Sequence, residues 1–140
     1  MPDSAEPLLV DTSVAVPLIA ADHASHDAVS QALVGRELGL SGHAALETYS
    51  VLTRLPGDAR RSPQTVAKVL AVSFPATVFL KSSATGKLFA SLAERGIAGG
   101  AVYDALVGAA AVAHHRTLVT RDQRALETYR ALGVELLLLG

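Results

Sequence analysis

The sequence predicts a three-layer α/β/α sandwich with a central parallel sheet of four to five strands. Short apolar runs alternate with helix-like segments along the chain, which is the pattern of parallel β-α units with helices on both faces of a sheet. Half of the 140 residues are hydrophobic, so a substantial core is available. No repeat, low-complexity tract or linker interrupts the pattern. We therefore expect a single domain over residues 1–140.

The predicted strands are short apolar runs next to turn residues. The first, 8–10, ends abruptly in Asp11, and a weaker second strand at 38–40 lies in a glycine-containing stretch. The remaining strands are expected at 76–80, 117–120 and 134–139.

The predicted helices occupy the intervals between the strands. Apolar residues recur at helical spacing in them, and Ser62 and Pro63 are typical of an N-cap followed by a first helical residue. Gly96 and Gly133 indicate helix ends. The expected helices span residues 12–20, 24–34, 43–55, 62–74, 82–95, 99–115 and 122–132.

The composition excludes several classes of protein. A formal net charge of -1 argues against a broad basic surface for nucleic acid, although a local basic rim remains open. The absence of cysteine excludes disulfides, thiolate metal sites and thiol nucleophiles. The acidic start, 1–6, is unlike a secretory signal, and the most apolar run, 97–113, is shorter than the ~20 residues of a membrane span. We expect a soluble, cytoplasmic protein that does not enter membranes.

Two aspartates follow predicted strands. Asp11 comes after 8–10 and Asp122 after 117–120, so both would lie at the carboxyl edge of the sheet, where functional groups of α/β proteins collect. Each alone could equally be a helix N-cap, a position that aspartate fills well.

Glu47 lies on the wrong side of its helix for an ordinary surface residue. Ala44, Val51 and Leu55 stand three residues before it and four and eight residues after it, which puts the acid on or beside the apolar stripe. The alternative is an edge residue paired with Arg54.

Asp104 is the only charged residue from 97 to 113, in a helix that is apolar nearly all round. Such a helix is normally buried, and a buried carboxylate must find a cation or a proton. Its place near the helix start favours the ionised form. The alternative is a buried aspartate that caps a neighbouring loop.

Four acids at one edge of a sheet require a counter-charge, because two charges ~4 Å apart repel by ~4 kcal/mol at an effective dielectric constant near 20. All-oxygen ligands without a cysteine or histidine cluster favour Mg²⁺ or Mn²⁺ over zinc. Such an ion can activate water for phosphodiester cleavage. We therefore expect Asp11 to act in a metal site, with Thr12 and Ser13 as the helix-capping hydroxyls.

The chain resembles PIN-domain ribonucleases, and more narrowly the toxins of VapBC toxin–antitoxin pairs. The resemblance covers nearly the full length and all four acids in order. It is carried by Leu9–Ser13, Ala45–Gly57, Tyr103–Leu106 and Leu118–Asp122. It implies a Mg²⁺-dependent endoribonuclease that cuts structured RNA such as tRNA or ribosomal RNA. It also implies a homodimer and a larger complex with a VapB-type antitoxin.

The resemblance also assigns a role to each acid. Asp11 and Asp104 match the principal metal ligands, Glu47 the acid that holds the metal or its water, and Asp122 a fourth acid that often acts through water. The matching hydrogen-bonding residues are Thr12, Ser13 and Thr120.

The chain departs from some relatives just after the fourth acid, where Gln123 and Arg124 stand in place of a further acid or amide. We therefore expect one tightly held Mg²⁺ and a second only with substrate. Arg54, Arg121 and Arg124 are candidate contacts for RNA phosphates or for an antitoxin.

Three other classes are weaker interpretations. A haloacid-dehalogenase-type phosphatase needs a second acid two residues after the first, where this chain has Ser13. A phospho-acceptor receiver domain needs paired acids near the first strand and a lysine after the last, but no lysine follows Lys87. A non-catalytic RNA- or protein-binding domain would not need all four acids.

Overall fold

A computed structural model describes residues 6–140 of the chain, and the first five residues of the acidic start lie outside it. All four strands run parallel, in the spatial order β2-β1-β3-β4. They are β1 (Leu8–Val10), β2 (Leu38–Leu40), β3 (Leu118–Thr120) and β4 (Leu136–Leu138). The first strand in sequence is therefore central, and its carboxyl end is next to that of β3.

Each predicted helix is present, with ends that are up to four residues shorter than expected. They are α1 (Thr12–Ile19), α2 (His26–Ala32), α3 (His43–Thr53), α4 (Pro63–Ser73), α5 (Ser82–Ser91), α6 (Ala101–Ala113) and α7 (Leu126–Ala131). Two single turns of 3₁₀ helix, Gly57–Ala59 and Gln123–Ala125, complete the elements. Within residues 6–140, no helix has the length and apolarity that crossing a membrane requires.

The three layers follow from alternation along β1. Leu8 and Val10 pack in one apolar cluster with residues of α1 and α2, whereas Leu9 packs in a second cluster with residues of α6 and α7. Successive side chains of a strand point to opposite faces of the sheet, so the sheet is covered on both sides. The predicted α/β/α sandwich is confirmed, with four strands.

The prediction of a strand at 76–80 is wrong. Only one bridge forms there, between Ser41 and Val78. The hydroxyl of Thr77 accepts a hydrogen bond from the Leu40 N–H at 3.0 Å and donates to the Phe74 carbonyl at 2.8 Å. A side-chain oxygen thus occupies the position that a backbone carbonyl would take in a ladder, and pairing stops after one bridge.

This segment also explains the glycine of β2. A Cβ atom on Gly39 would clash with the backbone carbonyl of Ala76. Any larger residue at position 39 would push the 76–78 segment away from the sheet edge.

Candidate active site at the carboxyl edge of the sheet

One pocket at the carboxyl edge of the sheet brings together the four acids that the sequence singles out. Asp11 follows β1 and Asp122 follows β3, while Glu47 lies in α3 and Asp104 in the first turn of α6. Because β1 and β3 are neighbours, their carboxyl ends bring the two strand-end aspartates to the same place. The pocket is lined by Asp11, Thr12, Ser13, Glu47, Asp104, Val107, Asp122, Arg124 and Tyr129.

Asp11 is the most enclosed of these acids, with 4% of its surface exposed. Its Oδ1 accepts from the backbone N–H of Ser13 at 3.1 Å and from the Ser13 hydroxyl at 2.5 Å. Its Oδ2 accepts from the Thr120 hydroxyl at 2.5 Å and from the Tyr129 hydroxyl at 2.9 Å. Two carboxylate oxygens offer about four lone-pair positions, so the hydrogen-bonding capacity of Asp11 is filled by the protein.

The hydroxyls around Asp11 are themselves oriented by the backbone. The N–H of Arg121 donates to the Ser13 hydroxyl at 2.9 Å, and the N–H of Asp122 donates to the Thr120 hydroxyl at 3.0 Å. Each hydroxyl oxygen accepts one of these bonds, which leaves its own proton to point at Asp11. The turn after β3 therefore holds the carboxylate that follows β1.

Asp11 is also the N-cap of α1, through its bond to the Ser13 N–H. The expectation that Thr12 and Ser13 cap this helix is therefore wrong. The sequence presents the cap and the pocket as alternatives for Asp11, but one oxygen, Oδ1, can cap the helix while the carboxylate lines the pocket. The Thr12 hydroxyl is buried, lines the pocket and has no hydrogen-bond partner within residues 6–140.

A proline inside α1 explains how Arg121 is used. Pro17 has no N–H, so the carbonyl of Ser13, four residues earlier, lacks its helical donor. The Arg121 guanidinium donates to that carbonyl at 3.3 Å and to the Ser25 hydroxyl at 2.7 Å. These internal bonds do not favour the hypothesis that Arg121 binds RNA or an antitoxin.

Asp122 combines a cap with a place in the pocket, as Asp11 does. Its side chain caps the 3₁₀ turn by accepting from the Arg124 N–H at 3.0 Å. It also forms an ion pair with the Arg124 guanidinium at 3.2 Å. The Arg124 side chain remains 90% exposed at the pocket rim, where it is available to a ligand.

Glu47 and Asp104 differ from the strand-end aspartates, because neither accepts a hydrogen bond from residues 6–140. Burial, together with repulsion from Asp104 and Asp11, raises the pKa of Glu47, and nearby His43 partly opposes this. Its ion pair is with His43, at 3.9 Å, and not with Arg54 as the alternative supposed.

Burial also raises the pKa of Asp104, followed by repulsion from Asp122 and Asp11, while Arg124 acts in the opposite direction. The expectation that α6 is buried all round is wrong, because its side with Tyr103 and Val112 faces solvent. Asp104 consequently lies at the pocket mouth rather than in the core.

Tyr129 is a polar pocket residue that the sequence interpretation missed. It is 1% exposed and its hydroxyl bonds Asp11. Gly108 of α6 makes room for it, since a Cβ there would lie 3.1 Å from the Tyr129 ring. Burial and the Asp11 charge raise the pKa of Tyr129 far above its usual value, so the phenol stays a donor. The available signal was a tyrosine on the buried face of a helix, because the hydroxyl of a buried tyrosine usually has a hydrogen-bond partner.

The pocket suits a hard divalent cation by its donor chemistry. No three acidic or histidine side chains among residues 6–140 form a ready-made metal cluster. Mg²⁺, however, usually binds through one or two carboxylates and keeps several waters. Glu47 and Asp104 have oxygens that accept no hydrogen bond from residues 6–140. Thr12, whose hydroxyl has no partner among the same residues, lines the same pocket. The residues present therefore fit Mg²⁺ or Mn²⁺.

The chain is similar to known proteins over most of its length. Residues 8–131 match the PIN domain family. The chain is 52% identical over 128 residues to Ribonuclease VapC27 of Mycobacterium tuberculosis, which covers 91% of this chain and 93% of that protein. It is 47% identical over 126 residues to Ribonuclease VapC40 of the same species, covering 89% and 93%.

Solved structures share the fold at low sequence identity. VapC20 of Mycobacterium tuberculosis, described as a sarcin-ricin loop cleaving toxin, has a TM-score of 0.66 and 18% identity and covers 86% of this chain and 93% of its own. VapBC2 of Rickettsia felis, bound to a promoter DNA fragment, has a TM-score of 0.67 and 16% identity, with coverages of 96% and 100%.

Proposed function

Because the chain belongs to the PIN domain family, and within it to the VapC ribonucleases, we propose that it is a Mg²⁺-dependent endoribonuclease toxin. The observation that carries this proposal is the convergence of Asp11, Glu47, Asp104 and Asp122 on one pocket. The reaction is hydrolysis of an RNA phosphodiester bond, with water as the nucleophile.

The metal would be held mainly by Asp104 and Glu47, whose oxygens accept no hydrogen bond from the described part of the chain. Asp11 would contribute its negative charge rather than an open oxygen, because its four acceptor positions are filled. When bound, Mg²⁺ or Mn²⁺ supplies positive charge for the phosphate and makes water a better nucleophile. Asp122 completes the negative field at the strand ends.

The protein side chains divide the remaining tasks. Glu47 is suited to orient the attacking water and to accept its proton, because its oxygens accept no hydrogen bond from residues 6–140 and it lines the pocket. Ser13, Thr120 and Tyr129 hold Asp11 in place throughout. Attack of water on phosphorus with departure of the 3′ oxygen would leave 5′-phosphate and 3′-hydroxyl ends.

The substrate we propose is structured RNA, with tRNA and ribosomal RNA as the two classes to test. The structural neighbour VapC20 is described as cleaving the sarcin-ricin loop. Arg124 at the pocket rim and Arg54, directly after α3, are the cations that we propose as contacts for RNA phosphates. A net charge of -1 makes such local contacts more important than any overall attraction.

The partner we propose is a VapB-type antitoxin, because several structural neighbours are VapBC complexes. Assembly as a homodimer, and as a larger complex with the antitoxin, remains a prediction from the family resemblance.

The geometry around Asp11 argues against the phosphatase and receiver interpretations. Both mechanisms require a strand-end aspartate to attack phosphorus or accept a phosphoryl group. Here the Asp11 oxygens are engaged by donors of Ser13, Thr120 and Tyr129, which leaves no lone pair for attack. No observation favours a non-catalytic binding domain over an enzyme that uses this acidic pocket.

The proposal is tested with the full-length protein and total RNA, in the presence of Mg²⁺ or EDTA. We expect cleavage with Mg²⁺ only, and loss of at least about 100-fold in rate for Asp104→Asn. Glu94→Gln, a change at an exposed acid that does not line the pocket, is the matched control and should cut normally. Cutting in EDTA, or an Asp104→Asn variant as fast as the wild type, would overturn the assignment. Sequencing the 5′ ends of the products identifies the RNA.

A further inference from the structure

We propose that the stacked rings of His43 and Tyr103, here called the ring platform, bind an unpaired nucleobase of the RNA next to the cleaved phosphodiester. This inference rests on the proposed ribonuclease function and adds a subsite to it. It also narrows the substrate class, because a base inside a duplex is already stacked and cannot reach the platform.

The geometry of the ring platform is that of a stacked pair. The ring centroids are 5.0 Å apart and the planes are inclined by 26°. Tyr103 remains 52% exposed, so much of its ring is open to solvent although His43 covers part of it. Tyr129, in contrast, is buried in the core, and its hydroxyl donates a hydrogen bond to Asp11. Tyr103 therefore contributes little to the packing of the core.

The ring platform stands at the rim of the acidic pocket. His43 is the first residue of α3 and its Nε2 lies 3.9 Å from a carboxylate oxygen of Glu47, one turn later. Tyr103 directly precedes Asp104 in α6. The two helices that supply the free carboxylates thus supply the two rings as well, and a nucleotide whose phosphate enters the pocket brings a neighbouring base within reach of them.

Stacking is the chemistry that suits this surface. Aromatic side chains bind unpaired bases of any sequence, because every base has a π face, and each such contact is worth a factor of about 5 to 150 in affinity. The Tyr103 ring already stacks on His43, and a side chain that is already packed costs less entropy to order on binding.

A groove along α3 extends the subsite away from the pocket. It is lined by His43, Leu46, Glu47, Ser50, Val51 and Arg54. Arg54 at its far end offers a guanidinium for a further phosphate of the same strand. The groove also contains exposed Leu46, which a peptide could contact, and a peptide occupant is therefore one outcome of the test.

The test uses the full-length protein in EDTA and short single-stranded RNAs in which 2-aminopurine replaces one base at a time. Stacking quenches 2-aminopurine fluorescence, so a titration reports both affinity and contact. We expect Tyr103→Leu to weaken binding by about 5- to 150-fold and to remove the quenching. Tyr103→Phe should retain both, and Phe89→Leu, at an exposed aromatic residue of α5, should match the wild type.

Cleavage of loop-containing RNA with Mg²⁺ separates the two proposals. If the wild type does not cut RNA at all, the ribonuclease function fails irrespective of Tyr103. If the wild type cuts and folded Tyr103→Leu cuts with unchanged KM and unchanged 2-aminopurine affinity, the ring platform is overturned alone. Weakened binding of an antitoxin with normal RNA binding would also overturn it and would assign the surface to a peptide.

Discussion

The acidic pocket has two walls that the protein treats in opposite ways. The strand wall, Asp11 and Asp122, follows β1 and β3, and every carboxylate oxygen in it accepts at least one hydrogen bond. The helix wall, Glu47 and Asp104, accepts none from residues 6–140. Burial raises the pKa of both acids, and repulsion from neighbouring carboxylates of the pocket adds to it. The fold thus stabilises one wall, and it is the other wall that we propose as the binding site of a cation.

This contrast suggests that the strand wall maintains the structure of the pocket and that the helix wall carries its chemistry. Carboxylates that accept hydrogen bonds from the protein contribute to its stability, whereas partly buried carboxylates that accept none and lie near other negative charges oppose folding unless a cation binds. The first consequence is that equivalent substitutions on the two walls should affect cleavage alike but stability differently.

The largest difference is expected between Asp11→Asn and Asp104→Asn. The amide introduced by Asp11→Asn would present donors to hydroxyls that now donate to the carboxylate, and we expect a loss of about 1–3 kcal/mol in the free energy of unfolding. Asp104→Asn removes repulsion and should leave stability equal or higher. Urea unfolding in EDTA measures both, and equal losses for the two variants would remove the distinction between the walls.

A smaller effect is expected when one donor of the strand wall is deleted. Tyr129→Phe removes the buried hydroxyl 2.9 Å from Asp11 and should cost about 1–2 kcal/mol. It should also slow cleavage without abolishing it, because Ser13 and Thr120 still hold the carboxylate. Tyr103→Phe deletes an exposed hydroxyl and is the matched control, with an expected change within about 0.5 kcal/mol. The strand wall would not depend on Tyr129 if both variants unfolded alike.

The helix wall should make stability depend on pH when divalent cations are absent. A raised pKa means that the folded state binds protons more readily than the unfolded chain, so stability falls as the pH rises. For these groups the fall begins near the ordinary values, 3.8 for Asp104 and 4.5 for Glu47, and continues through their raised pKa values. The charged groups facing the pair are His43, Arg124, Asp11 and Asp122.

The measurement is urea unfolding from pH 4 to pH 8 in EDTA. The combined variant Glu47→Gln with Asp104→Asn should flatten this part of the profile, and Mg²⁺ should restore stability to the wild type at neutral pH by binding the folded state. The effect is moderate, because both groups are partly exposed and solvent screens them. An unchanged slope in the combined variant would contradict the role assigned to the helix wall.

The smallest effect on stability is expected at the exposed cation of the strand wall. Arg124 is 90% exposed and pairs with Asp122 at the surface, so Arg124→Gln should change the free energy of unfolding by less than about 0.5 kcal/mol. If Arg124 contacts a phosphate, the salt dependence of RNA binding should fall by about one unit of slope. Lys87→Gln, at an exposed residue of α5, serves as the control. Equal slopes for the two variants would exclude Arg124 as a phosphate contact.

The convergence of the acids was predictable because it depends on a repeated pattern. Apolar runs followed by Asp11 and Asp122 place both residues at carboxyl ends of parallel strands, whatever the details of the loops. Glu47 and Asp104 were detectable because an acid on an apolar helix face has a physical cost that demands an explanation.

The parts that were missed depend on single atoms rather than on patterns. The Thr77 hydroxyl accepts the hydrogen bond of the Leu40 N–H in place of a backbone carbonyl and ends the expected strand. The β propensity of a residue does not indicate that its side chain will replace a backbone acceptor. Tyr129 reaches Asp11 only through the packing of α7 on α6 over Gly108, which no periodicity in 122–132 discloses. The double role of Asp11, as helix cap and as pocket acid, could not be predicted because it depends on the direction of each carboxylate oxygen.

The hydrogen bonds of Asp11 also have a consequence for biosynthesis. Two of its donors, Thr120 and Tyr129, lie 109 and 118 residues further along the chain. A ribosome that has made β1 has produced the first acid, but it must translate almost the whole message before these hydroxyls exist. A chain that terminates prematurely before Thr120 lacks both of them and cannot complete the strand wall. The full set of hydrogen bonds to Asp11 can therefore form only after nearly all of the chain has been translated.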